Sequence, residues 1–399
     1  MVGTRRAASA ALRDPRAAGA VAVALTLCTA ALAGCQRDDS ALTLALAILP
    51  GELPAYREVV AQFERGTGER VVVVPQQYAD IRRALAAEAA AGRGTIDLAE
   101  LDVYSLAPSA HDVRTLDAAD VGDLPEVLDR AALDAGTIDG LRFLPHRLTW
   151  QALVYDHAVL GRAPATWDDL VAVARAHPGR IGVKGALYEG LTCDVLPFVW
   201  AAGGSGERLD DDGALAAFRL FAELAPFLDP YSATFKESTI AEAMARGEIV
   251  LHLNWPFAMS LYASQGLAPD PIRSAPLPAG PSGRATVLGG GYLGIPRNAR
   301  HPERSRALLR FLLSRDAQAG LAERLGWFSA RRDAPLAGGA LLAGYGAMRA
   351  DVRPRPRLVD YPRLSRAWQQ AFRAVVFGGA DPERTLRDAQ RELDGRAGA

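Results

Sequence analysis

From Leu42 onward, apolar runs of strand length alternate with helical segments, and no other feature of this 399-residue chain narrows its fold so far. Leu42 to Leu49 is one continuous apolar run. After Pro54, which suits a first helical turn, Tyr56, Val59, Val60 and Phe63 recur at helical spacing, and Gly66 is expected to end that helix. Val71 to Val74 is four β-branched residues in a row, Ile81 to Ala91 is alanine-rich and helical, and Ile96 to Leu101 is apolar again. A β-α-β-α-β order implies a mostly parallel sheet with helices on both faces, with ligands outside the carboxyl ends of the strands. The loops at Glu52, Gln77 and Asp102 are therefore expected beside a cleft.

A second α/β unit begins with the strand Trp150 to Tyr155. Thr166-Trp167-Asp168-Asp169 follows, with Thr166 as N-cap and Asp169 at the N3 position of a capping box, so a helix is predicted through Leu170. Ile181 to Val183, a helical segment at Ala214 to Leu224, a helix ending at Arg246-Gly247 and a strand at Ile249 to Leu253 continue the alternation. This unit is complete by about Ile272. Further helices are predicted at Glu303 to Leu313, Asp316 to Leu325, Leu364 to Val376 and Pro382 to Leu393. The length exceeds what one hydrophobic core usually fills, so two lobes are expected. No repeat of solenoid period is present.

Arg5, Arg6, Arg13 and Arg16 precede an Ala/Val/Leu stretch from Ala17 to Leu32 that is short for a transmembrane helix and reads as a signal peptide. It closes on Leu32-Ala33-Gly34-Cys35, which resembles the lipobox of bacterial lipoproteins. The resemblance implies a signal peptide over 1–34, a lipidated Cys35 opening a polar tether over 35–41, and an exported protein anchored to the membrane and facing the periplasm or cell exterior. The alternative is an ordinary cleaved signal, or an uncleaved anchor with an incidental cysteine. With Cys28 and Cys35 placed there, Cys193 remains and no disulfide framework can be built. The six histidines show no i, i+4 pair, so no metal or cofactor is expected. Lys+Arg 45 against Asp+Glu 46 offers nucleic acid no electrostatic foothold. Arg353, Arg355 and Arg357, alternating with Pro354 and Pro356, read as a solvated, extended connector.

Four stretches, in order, resemble extracellular solute-binding protein family 1, the proteins that serve carbohydrate ABC importers and include maltose-binding protein. The first is Gly140 to Asp156 with Ala165-Thr166-Trp167-Asp168-Asp169-Leu170. The second runs from Ala243 to Leu251 into Asn254-Trp255-Pro256-Phe257. The third extends from Gly289-Gly290-Gly291-Tyr292 to Arg331, and the fourth is Asp381 to Gln390. The resemblance implies a type II-like periplasmic-binding-protein fold of two α/β lobes, with 42–148 and 275–333 in one and 149–274 and 334–399 in the other. It further implies hinge closure around a ligand, delivery to ABC importer permease subunits, a monomer, and no catalytic role.

A sugar presents apolar C–H faces and a rim of hydroxyls, so its pocket needs flat aromatic surfaces and hydrogen-bonding groups at their edges. Trp150, Tyr188, Trp255, Phe257, Tyr292, Trp327 and Trp368 fall in segments expected at the cleft, although any one aromatic taken alone is more often core. By position, Phe257 and Trp368 match ligand-stacking positions of the family, and Gly290, Gly291 and Tyr292 match a place where backbone approaches ligand. Trp167 beside its capping threonine is read as packing. Glu52, Gln77, Asp102, Glu189, Asn254 and Arg331 are the expected polar contacts, with a solvated loop charge the plainer reading of Glu189. Gly289-x-Gly291-x-x-Gly294 fits a dinucleotide fingerprint, but Ile295-Pro296 stands where its helix should start. Two alternatives stay open: the same fold binding a phosphodiester, polyamine or anion, for which Arg147 and Arg331 speak, and a secreted glycoside hydrolase, for which no motif pairs two carboxylates.

Overall fold

The computed structural model describes residues 40–334 and 339–397; the stretch expected to be a signal peptide and Cys35 lie outside them. Its strands are β1 (Leu42–Leu46), β2 (Val71–Pro75), β3 (Leu98–Asp102), β4 (Leu144–Trp150), β5 (Ala152–Asp156), β6 (Leu251–Asn254), β7 (Ile272–Ala275), β8 (Thr286–Gly294), β9 (Phe328–Ser329) and β10 (Val352–Arg353). In the larger sheet β1 lies between β2 and β3 and parallel to both, with Leu42 beside Val71 and Leu44 beside Leu98. Beyond β3 the direction reverses. β8 runs antiparallel to β3, β4 antiparallel to β8, and β9 antiparallel to β4, while β10 adds in parallel to the start of β8. The sheet is therefore mixed rather than mostly parallel, because its second half is made of strands that carry the chain to and from the other lobe.

That other lobe holds a smaller sheet, with β5 between β6 and β7 and antiparallel to both. Only Gln151 separates β4 from β5, so the chain crosses between sheets within a single residue. Ile181 to Val183, expected as a strand, makes only isolated bridges, one of them from Ile181 to Leu251.

Helices form where periodicity announces them. In Leu53–Thr67 the face of Tyr56, Val59, Val60 and Phe63 is buried, each side chain contributing about 1.5–3 kcal/mol. This helix ends at Gly68, whose φ of 76° takes the left-handed conformation that closes the last turn, rather than at Gly66. Helix Trp167–Ala176 opens with the expected box: the Thr166 hydroxyl accepts from the Asp169 amide at 3.2 Å, and the Asp169 carboxylate accepts from the Thr166 amide at 3.2 Å. Helix Glu189–Ala201 gives no such sequence signal. Every residue from Gly190 to Ala201 is buried and Pro197 lies inside, so polar and apolar faces never alternate. It packs against Asp212–Leu224 and the C-terminal helix Tyr361–Val376, on which Pro382–Ala397 lies.

Behind β6, His252 is wholly buried, with Nε2 3.0 Å from the Tyr262 hydroxyl. Burial, assisted by Lys184, pushes its imidazole down to about 3. The unfolded chain takes up a proton near pH 6.5 while the folded one does not, so this contribution to stability is present above pH 6.5 and is lost as pH falls toward 3. One such group lowers stability by about 1.4 kcal/mol per pH unit in that window. His252→Gln is expected to remove this part of the pH dependence between pH 7 and pH 5 in urea unfolding; an unchanged slope contradicts it.

Candidate functional site

The carboxyl ends of β1, β2 and β3 open onto a cavity of about 440 Å³. The turn after β1 brings Leu49 and Glu52 to it, the end of β2 brings Gln76, Gln77 and Tyr78, and the end of β3 brings Asp102 and Tyr104. Opposite stand Tyr188 and Glu189 at the head of the buried helix, Glu237, and Trp255, Phe257 and Ser260 from the segment after β6. Arg147 and Thr149 of β4 and Gly289 and Gly290 of β8 form the floor. Gly290 has a φ of 146°, and a Cβ there would lie 2.3 Å from the Arg147 carbonyl oxygen, so no other residue fits that crossing.

Around Trp327 the wall is pre-arranged. Its Nε1 donates to Glu52 at 3.1 Å, and the Arg147 guanidinium stands 4.1 Å from its ring centre. Arg147 also donates to Glu100 at 3.0 Å, to the Tyr78 hydroxyl at 2.9 Å and to the Ala47 carbonyl. Burial pushes the Glu100 carboxyl up, but Arg147 and then His146 overcome it and hold it below the usual carboxylate range. Across the cavity, burial and the neighbouring Glu237 push the Tyr188 phenol far above its ordinary value.

Arg355 supplies the other fixed point. It is buried, not a solvated connector: one Nη donates to Asp102 at 2.6 Å, the other to Glu189 at 2.8 Å, and the guanidinium lies 5.1 Å from the Tyr104 ring centre. Glu189 also accepts from the Tyr361 hydroxyl at 2.5 Å and from Ser365 at 2.7 Å, so it is no loose loop charge. Burial pushes the Asp102 carboxyl up, and Arg355 offsets this only in part.

Of the residues expected from sequence, Glu52, Gln77, Asp102, Tyr188, Glu189, Trp255, Phe257, Gly290 and Trp327 line this one cavity. Six others do not. Trp150 is core, its Nε1 donating to the Tyr345 carbonyl and its ring 4.5 Å from Phe328. Trp368 is fully buried, donating to the Gly206 carbonyl and packed against Phe218, because its helix turns that face inward against two neighbours. Tyr292 is fully buried and is not among the residues that line the cavity. Gly291 lies against Glu100, which a Cβ would meet at 2.0 Å. Asn254 is consumed locally, donating to the Glu237 carbonyl and accepting from the Trp255 amide. Arg331 is turned to Asp333 and the Leu313 carbonyl.

Tyr78, Tyr104, Glu237, Ser260 and Arg355 line the cavity without having been expected there. Tyr78 and Tyr104 were within reach, since each sits one or two residues from an expected strand-end position. Glu237 and Arg355 carry no local signal. Among the described residues no group of His, Cys, Asp and Glu is arranged to hold a metal ion.

Removing one partner of a buried ion pair leaves the rest uncompensated, at about 3–5 kcal/mol. Because the Asp102 and Glu189 side chains keep 18% and 23% of their accessibility, the low end is expected. Arg355→Met should lower unfolding free energy by about 3 kcal/mol, and adding Asp102→Asn and Glu189→Gln should recover part of it. Urea melts in which the triple variant is no more stable than the single one would sink this account.

The model for bacterial extracellular solute-binding proteins matches residues 58–348. A probable ABC transporter-binding protein of Deinococcus radiodurans is 29% identical over 179 residues, 39% of this chain and 42% of that protein, so the match spans less than half of this relative. Among solved structures, maltose-bound MalE3 of T. maritima superposes with a TM-score of 0.76 at 26% identity, covering 88% of this chain and 98% of that one. An ABC transporter solute-binding protein from Thermotoga lettingae, bound with α-D-tagatose, gives 0.77 at 22% identity, over 90% and 99%. MalE of Xanthomonas citri gives 0.77 at 20%, over 89% and 96%; the last two speak for the fold alone. With a family model matched over most of its length and two lobes enclosing a lined cleft, the chain belongs to the bacterial extracellular solute-binding proteins.

Proposed function

We propose that this protein captures a carbohydrate in the cleft between its lobes and hands it to the permease subunits of an ABC importer. One observation carries the reading: Trp255, Phe257 and Trp327 line the same cavity as Glu52, Gln77 and Glu237. Flat apolar faces beside hydrogen-bonding groups answer the two surfaces of a sugar ring. The relative that holds maltose supports it. An anionic solute fits less well, because the guanidinium groups that would receive it are already bonded to Glu100, Asp102 and Glu189.

Isothermal titration across a panel of neutral and substituted sugars tests the reading, and failure of every sugar to bind would remove it. Phe257 keeps 38% of its accessibility, as a wall of the cleft. Trp255→Ala and Phe257→Ala are each expected to weaken sugar binding by about 1–3 kcal/mol with little change in melting. Trp368→Ala should do the reverse, losing about 3–5 kcal/mol of stability while the folded fraction binds normally. Equal melting losses for all three would place Trp255 and Phe257 in the core.

The protein acts in this reading as an exported lipoprotein held by Cys35. Among the described residues no helix is long and apolar enough to cross a membrane. Acyl chains hold a protein by about 0.8 kcal/mol per buried methylene. Cys35→Ser should move the protein from the membrane to the soluble fraction, and a variant still sedimenting with membranes contradicts the anchor.

A further inference from the structure

Charge in the cleft is one-sided. Glu52, Asp102, Glu189 and Glu237 line it with Arg147 and Arg355, and Glu100 stands directly behind Arg147. Five carboxylates thus face two guanidinium groups, and both cations are engaged: Arg147 with Glu100, Arg355 with Asp102 and Glu189. Arg147 also acts at longer range on Glu52, but among the described residues the Glu52 carboxylate is hydrogen-bonded only by neutral donors, Trp327 Nε1 at 3.1 Å and the Leu49 amide at 3.2 Å. Glu237, on the opposite wall, has no ion-pair partner among the described residues; the nearby Lys236 is exposed, with its ammonium 5.6 Å from the Tyr188 ring centre.

Hydrogen-bonding capacity is uneven in the same sense. The Gln76 Oε1, an acceptor, is buried without a partner, and so is the Arg355 Nε; the Tyr188 hydroxyl makes no well-formed hydrogen bond and stands beside the Glu237 carboxylate. A ligand that satisfies this wall must bring hydroxyls, which both donate and accept, for Gln76, Tyr188 and Arg355. It must also offset the negative charge that closure would strip of water. A carboxylate taken out of water without a counter-charge is strongly unfavourable; a neutral sugar leaves Glu237 in that state and Glu52 with only the more distant Arg147. A simple polyamine meets the carboxylates but has no oxygen for Tyr188 and Arg355.

We propose that the cleft takes a carbohydrate bearing a protonated amine, an amino sugar or aminocyclitol, whose ammonium is received by Glu52 and Glu237 while its hydroxyls meet Gln76 and Tyr188. This rests on the carbohydrate reading and narrows its substrate class. Charge-assisted hydrogen bonds are about twice as strong as neutral ones, so the ammonium should be worth about tenfold in affinity.

The test is titration calorimetry on the full chain at pH 7 with glucosamine, galactosamine and mannosamine and their short oligomers. Each is compared with its N-acetylated and its hydroxyl counterpart, and spermidine forms a separate arm. In at least one set the free amine should bind about tenfold more tightly than both counterparts. In Glu52→Gln/Glu237→Gln, which keeps a hydrogen-bonding side chain at each position and removes its charge, the preference should collapse, the free amine falling to the affinity of its neutral counterparts measured on the same variant. Neutral sugars binding as tightly as, or more tightly than, their amines would overturn the proposal and leave the carbohydrate reading standing. Spermidine bound and no sugar bound, or nothing bound at all, would overturn both.

Discussion

A guanidinium with almost no access to water sits where the two lobes meet, and much of the cleft follows from the need to compensate it. Arg355 satisfies that need with Asp102 from the end of β3 and Glu189 from the head of the buried helix. Desolvating one charge is tolerable only where others stand within hydrogen-bond reach. Three distant parts of the sequence are thereby obliged to converge, and the segments that carry Tyr104, Tyr188 and Tyr361 are drawn in with them. The convergence has an electrostatic consequence: a cation bonded to two wall carboxylates is not free for an anionic ligand.

The triple glycine of β8 is a second constraint of the same kind. A Cβ at Gly289 would stand 2.8 Å from the Trp255 ring, one at Gly290 would strike the Arg147 carbonyl, and one at Gly291 would overlap the Glu100 carboxylate. Bare backbone lets Trp255 and the Glu100 carboxylate lie directly against the strand and lets the strand approach the β4 backbone at Arg147. The run that imitates a dinucleotide fingerprint is thus a place where large side chains cross a central strand.

What could be read from the sequence and what could not divide along physical lines. The β-α-β-α-β start was legible because its helices are half-buried and their apolar faces repeat, as Tyr56, Val59, Val60 and Phe63 do. Glu52, Gln77 and Asp102 were legible for a topological reason, since strand ends in such sheets face the ligand cleft. Helix Glu189–Ala201 was not, because uniform burial erases the period. Arg355 was misread because a basic residue between prolines has the local look of a solvated linker, and only partners 253 and 166 positions away reverse that. Trp368 shows the limit of matching by position: in this chain its helix presents the indole to Phe218.

These contacts also bear on how the lobes can move. A hinge motion that separates the two sheets cannot leave Arg355 bonded to both carboxylates. Glu189 is tied further to Tyr361 and Ser365, and Cys193, one turn along its helix, stands 3.6 Å from the same guanidinium. Asp102 holds Arg355 through one oxygen, shared with the Tyr104 amide. Arg355 itself lies two residues past β10, a strand of the larger sheet that also holds Asp102, whereas Glu189 heads the buried helix, so the tie between these elements is shared by both carboxylates.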